Sequence, residues 1–254
     1  MLIAITRGVS PAIDRCELTN LERLPINLER AIAQHHAYEA ALRSLGVDVR
    51  SLPADPGLPD SVFVEDTAIV LDECAIITRP GADSRKPETA PIARVLASYR
   101  ELFRIQAPGT LDGGDVLKIG KTIYIGVSRR SDLSAIGQVR DFLVTFGYTI
   151  CAVPVRGCLH LKSAVTQVGA DVLVLNPAWV DKAAFPGLKF IEVHPSEPYA
   201  ANALWVDETV IYQPAFPKTL GSLQAAGIDL LLLDQSELGK AEGALTCCSL
   251  IFRI

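Results

Sequence analysis

The chain has 254 residues, 49% of them hydrophobic, and a formal net charge of −5. That length suits one large domain or two small ones with a sizeable buried core, and the acidic balance argues against nucleic acid or an anionic membrane surface as partner. No apolar run reaches the ~18 residues of a membrane span.

The first residues, Met1-Leu-Ile-Ala-Ile-Thr-Arg7, lack the basic region and apolar core of a signal peptide. Six cysteines without a CxxC spacing read as reduced thiols of a cytoplasmic protein. In chain order, a strand is predicted at about 2–6, followed by an irregular polar stretch at 8–24, a candidate mobile flap. Leu28, Ala31, Ile32, His35, Tyr38, Leu42 and Leu45 recur at helical spacing, with Asn27 as N-cap and Gly46 past the end. A strand at 47–52 leads into a Pro-rich turn at 53–59, and two short strands follow near 66–71 and 74–78. A helix over 91–103 opens on Pro91. Strands near 115–119 and 122–126 precede a helix over 131–146. Beyond it come a strand at 149–154, a pair within 164–175, a weak helix at 178–184 and a strand at 188–193. A strand pair within 203–213, a helix at 216–226 and strands at 228–233 and the C-terminus complete the order.

Strand, strand, helix, strand recurs, and each unit is entered through a polar junction. Asp66, Asp112, His160, Asn202 and Cys247 mark these junctions, at steps of 46, 48, 42 and 45 residues. A period near 45 points to blade-like repeats about an axis. Because every unit also holds a helix, the predicted fold is a five-bladed α/β propeller of ββαβ units in a single 1–254 domain, with strand 2–6 completing the last blade. One polar residue per blade then converges at the centre.

The C-terminal stretch Gly243-Ala-Leu-Thr-Cys-Cys-Ser249 carries two adjacent cysteines before an apolar strand. Successive strand residues face opposite sides, so one thiol is expected in the core and the other in a pocket. Taken singly, each junction residue has an ordinary structural role: His160 between two leucines as a satisfied core histidine, Asp112 as a turn carboxylate, Asn202 as a backbone partner. Taken together, a thiol, an imidazole and two carboxylates suit a nucleophilic enzyme acting on a cation. The thiolate attacks, carboxylates select positive charge, and the imidazole moves the proton. A zinc site of Cys247, His160 and Asp112 is the weaker alternative, unsupported by CxxC or HxxxH spacing.

Six segments carry a resemblance: Pro59-Asp-Ser-Val-Phe-Val-Glu-Asp66, Ile77-Thr-Arg-Pro-Gly-Ala82 with Ser84-Arg85, Thr110-Leu-Asp-Gly-Gly-Asp-Val116, Leu159-His-Leu-Lys-Ser163, Tyr199-Ala-Ala-Asn202 and Leu245-Thr-Cys-Cys-Ser249. In this order they resemble the dimethylarginine dimethylaminohydrolases of the guanidino-modifying superfamily, over essentially the whole chain. The resemblance implies that Cys247 is the nucleophile, His160 the general acid and base, and Asp112 an acid supporting the substrate and His160. It implies that Asp66 and Glu65 grip the guanidinium and that Phe63 flanks its methyl groups. Arg85 and Arg130 resemble the pair that binds the α-carboxylate, and Asp60 the α-amino partner. The flap contact is Leu18 or Ile13. Ala241 stands near the α-amino group where the family tends to have a larger aliphatic residue.

The implied reaction is hydrolysis of a C–N bond of Nω-methylarginine to citrulline and a methylamine, through a covalent thiouronium and without a cofactor. Arginine deiminase and citrulline hydrolase are the alternative activities, and a non-catalytic amino-acid-binding module is the alternative from another class. The implied partner is a small guanidino molecule, with the protein a monomer or homodimer.

Overall fold

Each repeat anticipated from the junction spacing folds as a separate three-stranded sheet. The computed structural model describes all 254 residues, Met1–Ile254. The first sheet uses β1 (Leu2–Arg7) and, after helix α1 (Leu28–Ser44), β2 (Asp48–Leu52). The second has β3 (Ala68–Val70), β4 (Cys74–Ile77), α2 (Thr89–Leu96) and β5 (Glu101–Arg104). The third has β6 (Val116–Ile119), β7 (Thr122–Val127), α3 (Leu133–Leu143) and β8 (Thr149–Pro154). A one-turn helix, α4 (Leu161–Ala164), enters the fourth, which holds β9 (Val165–Gly169), β10 (Val172–Leu175) and β11 (Lys189–Glu192). The fifth has β12 (Leu204–Val206), β13 (Thr209–Tyr212), α5 (Pro217–Ala225) and β14 (Asp229–Leu232). After the single turn α6 (Ser236–Gly239), β15 (Leu250–Arg253) returns to the first sheet.

In every sheet an antiparallel pair is followed by a third strand parallel to the second. The parallel step requires a crossover, which a helix provides in four sheets and a segment with only a 3-10 turn, Lys182–Ala184, provides in the fourth. β15 lies antiparallel to β1, with Ile3 opposite Phe252 and Ile5 opposite Leu250, so the two chain ends complete one blade together. Five apolar clusters fill the spaces under and between the sheets; one joins Ile3 and Ile5 of the first to Ala75, Ile77, Ile92 and Leu96 of the second. The predicted five-bladed α/β propeller is the observed fold.

Three local expectations are corrected. The helix expected over 91–103 ends at Leu96, and Glu101–Arg104 forms β5 instead. Tyr99 and Leu102 keep the helical phase, but pairing of Cys74–Ile77 with Glu101–Arg104 satisfies that backbone in the sheet. The weak helix at 178–184 is reduced to a 3-10 turn at Lys182–Ala184. Cys247 and Cys248 lie not in a strand but in a 3-10 turn, Thr246–Cys248. The turn separates them all the same: Cys248 is fully buried and Cys247 is partly open.

Candidate active site

Tight turns deliver the functional side chains to the centre. Before β3 the chain makes a 3-10 turn at Val64–Thr67, before β6 another at Gly113–Asp115, and before β15 the Cys247 turn. Asp112 and His160 are the extended residues just ahead of their turns. Such turns suit the site because they aim a side chain inward while the strand that follows anchors the backbone in a sheet.

These turns pack at distances a side chain would prevent. A Cβ on Gly114 would lie 2.6 Å from His160 Nδ1 and 2.8 Å from Asp66 Oδ1. One on Gly243 would lie 2.1 Å from the Phe63 ring. Both glycines therefore permit close approach.

Glu17, Asp60, Phe63, Asp66, Arg85, Arg130, Leu159, His160, Ala241, Glu242, Gly243 and Cys247 line one narrow pocket. Its void of ≈ 20 Å³ is room for about one water. His160 Nε2 lies 3.0 Å from Asp112 Oδ2, and His160 Nδ1 lies 3.9 Å from Asp66 Oδ1. Burial alone favours a neutral ring, but Asp66, Asp112 and Asp115 reverse this and raise the His160 pKa to about 9. His160 is thus charged at neutral pH. Asp66 would also be neutralised by burial, yet His160, Arg85 and the Gly114 amide hold its pKa down at about 2. The Cys247 thiol is pushed well up by burial and then by Glu65 and Asp66, so without a substrate it stays protonated. Its neighbour Cys248 is also raised, to about 12, by burial.

The carboxylate and arginine partners differ from one another in what they leave free. Arg85 is buried; its Nε–H and an Nη2–H donate to Glu88, Nη1 donates to Asp66 Oδ2 at 2.5 Å, and Nη2 also reaches the Phe63 carbonyl at 3.1 Å. The Arg130 guanidinium donates only to Thr19 Oγ1, at 2.8 Å, with Nη1 3.8 Å from Asp112 Oδ2. Asp60 accepts from the Glu17 amide at 3.2 and 3.1 Å. Of the two flap residues expected at the substrate, Ile13 is in the core and Leu18 packs against that core, while Glu17 lines the pocket. Glu65 also turns away. Its carboxylate accepts from Lys162 Nζ at 2.5 Å and from Thr246 Oγ1 at 2.8 Å, and it borders a separate cavity of ≈ 620 Å³ with Lys162 and Thr246.

Asp66, Asp112 and His160 offer ligand-type atoms all within 4.8 Å of one another, but Cys247 is outside that set. The mutual charges are balanced by Arg85 and the protonated ring.

Several participants escaped the sequence reading. Asp115, Lys162 and Thr246 stand inside the quoted motifs and could have been found as polar residues next to assigned ones. Glu242 could not: it has a left-handed backbone, φ 59°, and its carboxylate accepts from the amides of Thr19, Asn20 and Leu21.

The family model for N,N dimethylarginine dimethylhydrolase, eukaryotic, matches residues 19–184. A dimethylarginine dimethylaminohydrolase of Pseudomonas aeruginosa is 37% identical over 88% of this chain and 89% of its own length. One from Streptomyces coelicolor is 37% identical over 98% of this chain and 96% of its own. The solved Pseudomonas aeruginosa enzyme, a cysteine-to-serine mutant complexed with citrulline, superposes with a TM-score of 0.94 at 34% identity, covering 98% of each chain. The N-terminal domain of a cyanobacterial arginine dihydrolase shares the fold, with a TM-score of 0.84 over 99% of this chain and 98% of that one, at 18% identity. With motifs, fold and sequence in agreement along nearly its whole length, the chain belongs to the dimethylarginine dimethylaminohydrolase family.

Proposed function

We propose that this protein hydrolyses Nω-methylated arginine to citrulline and a methylamine, with Cys247 as nucleophile, His160 as acid then base, and Asp112 and Asp66 as their charged partners. The observation that carries the reading is the meeting of Cys247, Asp66 and a protonated His160 in one pocket that also holds Asp60 and Arg130. The two bacterial relatives bear the corresponding name, and a solved relative holds citrulline.

The guanidinium enters beside Asp66 with its methyl groups toward Phe63. Its positive charge offsets the carboxylates that suppress ionisation of Cys247, so with the substrate in place the thiol releases its proton to solvent and the thiolate forms. The thiolate adds to the guanidinium carbon. His160 gives its proton to the departing dimethylamine as the C–N bond breaks, leaving a thiouronium on Cys247. The now neutral His160 takes a proton from water, which adds to the same carbon. The C–S bond then breaks as the added hydroxyl gives its proton to the departing sulfur, returning the Cys247 thiol and releasing citrulline.

The pocket supports an α-amino acid substrate. Asp60 suits the α-ammonium, Ala241 leaves room at that end, and Arg130, with its donors mostly free, suits the α-carboxylate. Arg85 has one N–H outside its protein contacts, so its larger task is to hold Asp66. Leu18 contributes through the packing of the flap and Glu65 through the floor beside Thr246. No helix is long and apolar enough to cross a membrane. All six cysteines are free, which supports a reducing compartment such as the cytoplasm.

The test is a panel of asymmetric dimethylarginine, monomethylarginine, arginine, agmatine and citrulline, followed by ureido product and released amine. Equimolar citrulline and methylamine, with highest kcat/KM on a methylarginine, is the expected result. Faster ammonia release from arginine would make the protein a deiminase. Binding without turnover, and no covalent adduct with a chloroacetamidine probe, would make it a binding module.

A further inference from the structure

Asp115 is wholly buried, three residues from Asp112, and is absent from the pocket wall. It touches no group that meets the substrate by its side chain, so the mechanism above does not use it. Its carboxylate nevertheless has three bonds, and each leads to a working residue. Oδ1 accepts from the Leu161 amide at 2.8 Å, the peptide directly after His160. Oδ2 accepts from Ser131 Oγ at 2.6 Å, and Ser131 Oγ in turn accepts from the Asp112 amide at 3.0 Å. Oδ2 also accepts from Ser128 Oγ at 2.6 Å, and Ser128 Oγ receives the Arg130 amide at 3.0 Å.

We propose that Asp115 is the positioning residue of this site, fixing His160 against Asp112 through the Leu161 amide and Ser131, and presenting Arg130 through Ser128. The inference rests on the hydrolase reading above. The His160–Asp112 contact spans two blades, and its 3.0 Å length depends on two backbones that share no sheet. Asp115 ties those same two backbones together one peptide or one hydroxyl away from each partner. The fold makes space for it: a Cβ on Gly126 would lie 2.5 Å from Asp115 Oδ1.

An ionised carboxylate in such a place requires compensation. The cation whose field reaches it is the His160 ring, which faces Asp66 from the Val64–Thr67 turn, Asp112 and Asp115 from the chain around Gly113–Asp115, and the Cys247 turn across the pocket; Cys158 also neighbours Asp115. Asp115 thereby adds to the field that keeps His160 protonated, as well as to its aim.

A capping role confined to folding would alter stability without a pattern in the kinetics. Wiring to distinct residues predicts a split. Ser131→Ala removes the link to Asp112 and leaves the charge, so kcat should fall by about tenfold or more with KM little changed. Ser128→Ala loosens the turn carrying Arg130, so KM for methylarginine should rise several-fold, on the order of 3 to 10, with kcat kept. Asp115→Asn retains an acceptor for the Leu161 amide but loses the charge. It should lower kcat and move the His160 titration, followed by NMR, below its wild-type midpoint by about one unit.

Both serine variants folded and kinetically wild-type would overturn the inference, and so would Asp115→Asn with an unmoved His160 titration. If Asp115→Asn does not fold, the serine pair decides alone. If the wild type turns over no methylarginine, the functional reading has failed. The inference is then judged by the His160 titration, which must still fall in Asp115→Asn.

Discussion

Arg85 and Asp66 meet at 2.5 Å in the pocket wall, both side chains almost fully out of solvent. A buried ion pair of this kind is sensitive to loss of one partner, because the other is left charged and unpaired at a cost of roughly 3–5 kcal/mol. Arg85 gives all but one of its remaining N–H groups to Glu88 and backbone carbonyls, so little of it is free to recognise a carboxylate.

The two arginines should therefore respond differently to alanine. Arg85→Ala is expected to lower Tm by several degrees and to depress kcat through a misplaced Asp66. Arg130→Ala should leave Tm nearly unchanged and raise KM for methylarginine by about 10- to 100-fold, the scale of losing a charge-assisted pair. Agmatine, which lacks the α-carboxylate, should lose far less with Arg130→Ala. Equal losses on both substrates would remove Arg130 from carboxylate recognition.

The paired thiols separate chemistry from packing. Cys247→Ser should abolish turnover while leaving a folded protein that still binds citrulline. Cys248 is fully buried, with Gln235 Nε2 and the Ala244 carbonyl each 3.7 Å from its sulfur. Cys248→Ser should keep the chemistry and cost about 1–3 kcal/mol in denaturant unfolding. A folded Cys248→Ser without activity would reverse the assignment of the two.

The protonation of His160 gives a pH prediction with a definite sign. Its folded pKa of about 9 is above the ordinary 6.5, so its charge stabilises the fold fully below pH 6.5, and this contribution is lost as pH rises through 9. An essential acid of that pKa also gives kcat/KM an alkaline limb near pH 9. Asp66 behaves oppositely: lowered to about 2 from 3.8, it stabilises the fold above pH 3.8 and loses that contribution as pH falls toward 2. NMR titration of the ring with a midpoint near 6.5 would refute the cationic resting state.

The propeller was legible because its repeat leaves a linear record: one polar junction per blade, each followed by an apolar strand. Helices such as Leu28–Ser44 were legible from their apolar phase. What was hidden depended on turn geometry. Glu65 and Asp66 are sequence neighbours, so both were expected at the guanidinium, but in a 3-10 turn they diverge to different cavities. The strand at Glu101–Arg104 was masked because Tyr99 and Leu102 continue the helical phase of the preceding segment. Asp115 sat in plain view in Leu111-Asp-Gly-Gly-Asp115, yet nothing in that spacing distinguishes an acid that meets substrate from one that aligns others.

Glu242 illustrates a function that depends wholly on backbone geometry, and it yields the last prediction. Its carboxylate receives the amides of Thr19, Asn20 and Leu21 at 2.9, 2.5 and 2.7 Å. Asp60 takes the Glu17 amide and Arg130 the Thr19 hydroxyl, so the groups proposed to recognise the amino-acid end of the substrate also hold the 8–24 segment down. The void of ≈ 20 Å³ is smaller than an arginine side chain, so the 8–24 segment is taken as the flap that lifts to admit substrate. Hydrogen bonds to a charged group contribute about 1.5–3 kcal/mol. Glu242→Gln, which removes the charge and keeps the shape, should thus favour the open segment by about tenfold or more, since 1.4 kcal/mol is tenfold. Arg15 and Arg23 lie within this segment and supply tryptic sites. Native-state cleavage there should accelerate by the same factor, because proteolysis follows the open population when reclosing is fast. A saturating non-hydrolysed ligand such as citrulline should slow cleavage in both proteins. Identical cleavage rates for wild type and Glu242→Gln would show that the three amide bonds do not hold the segment closed.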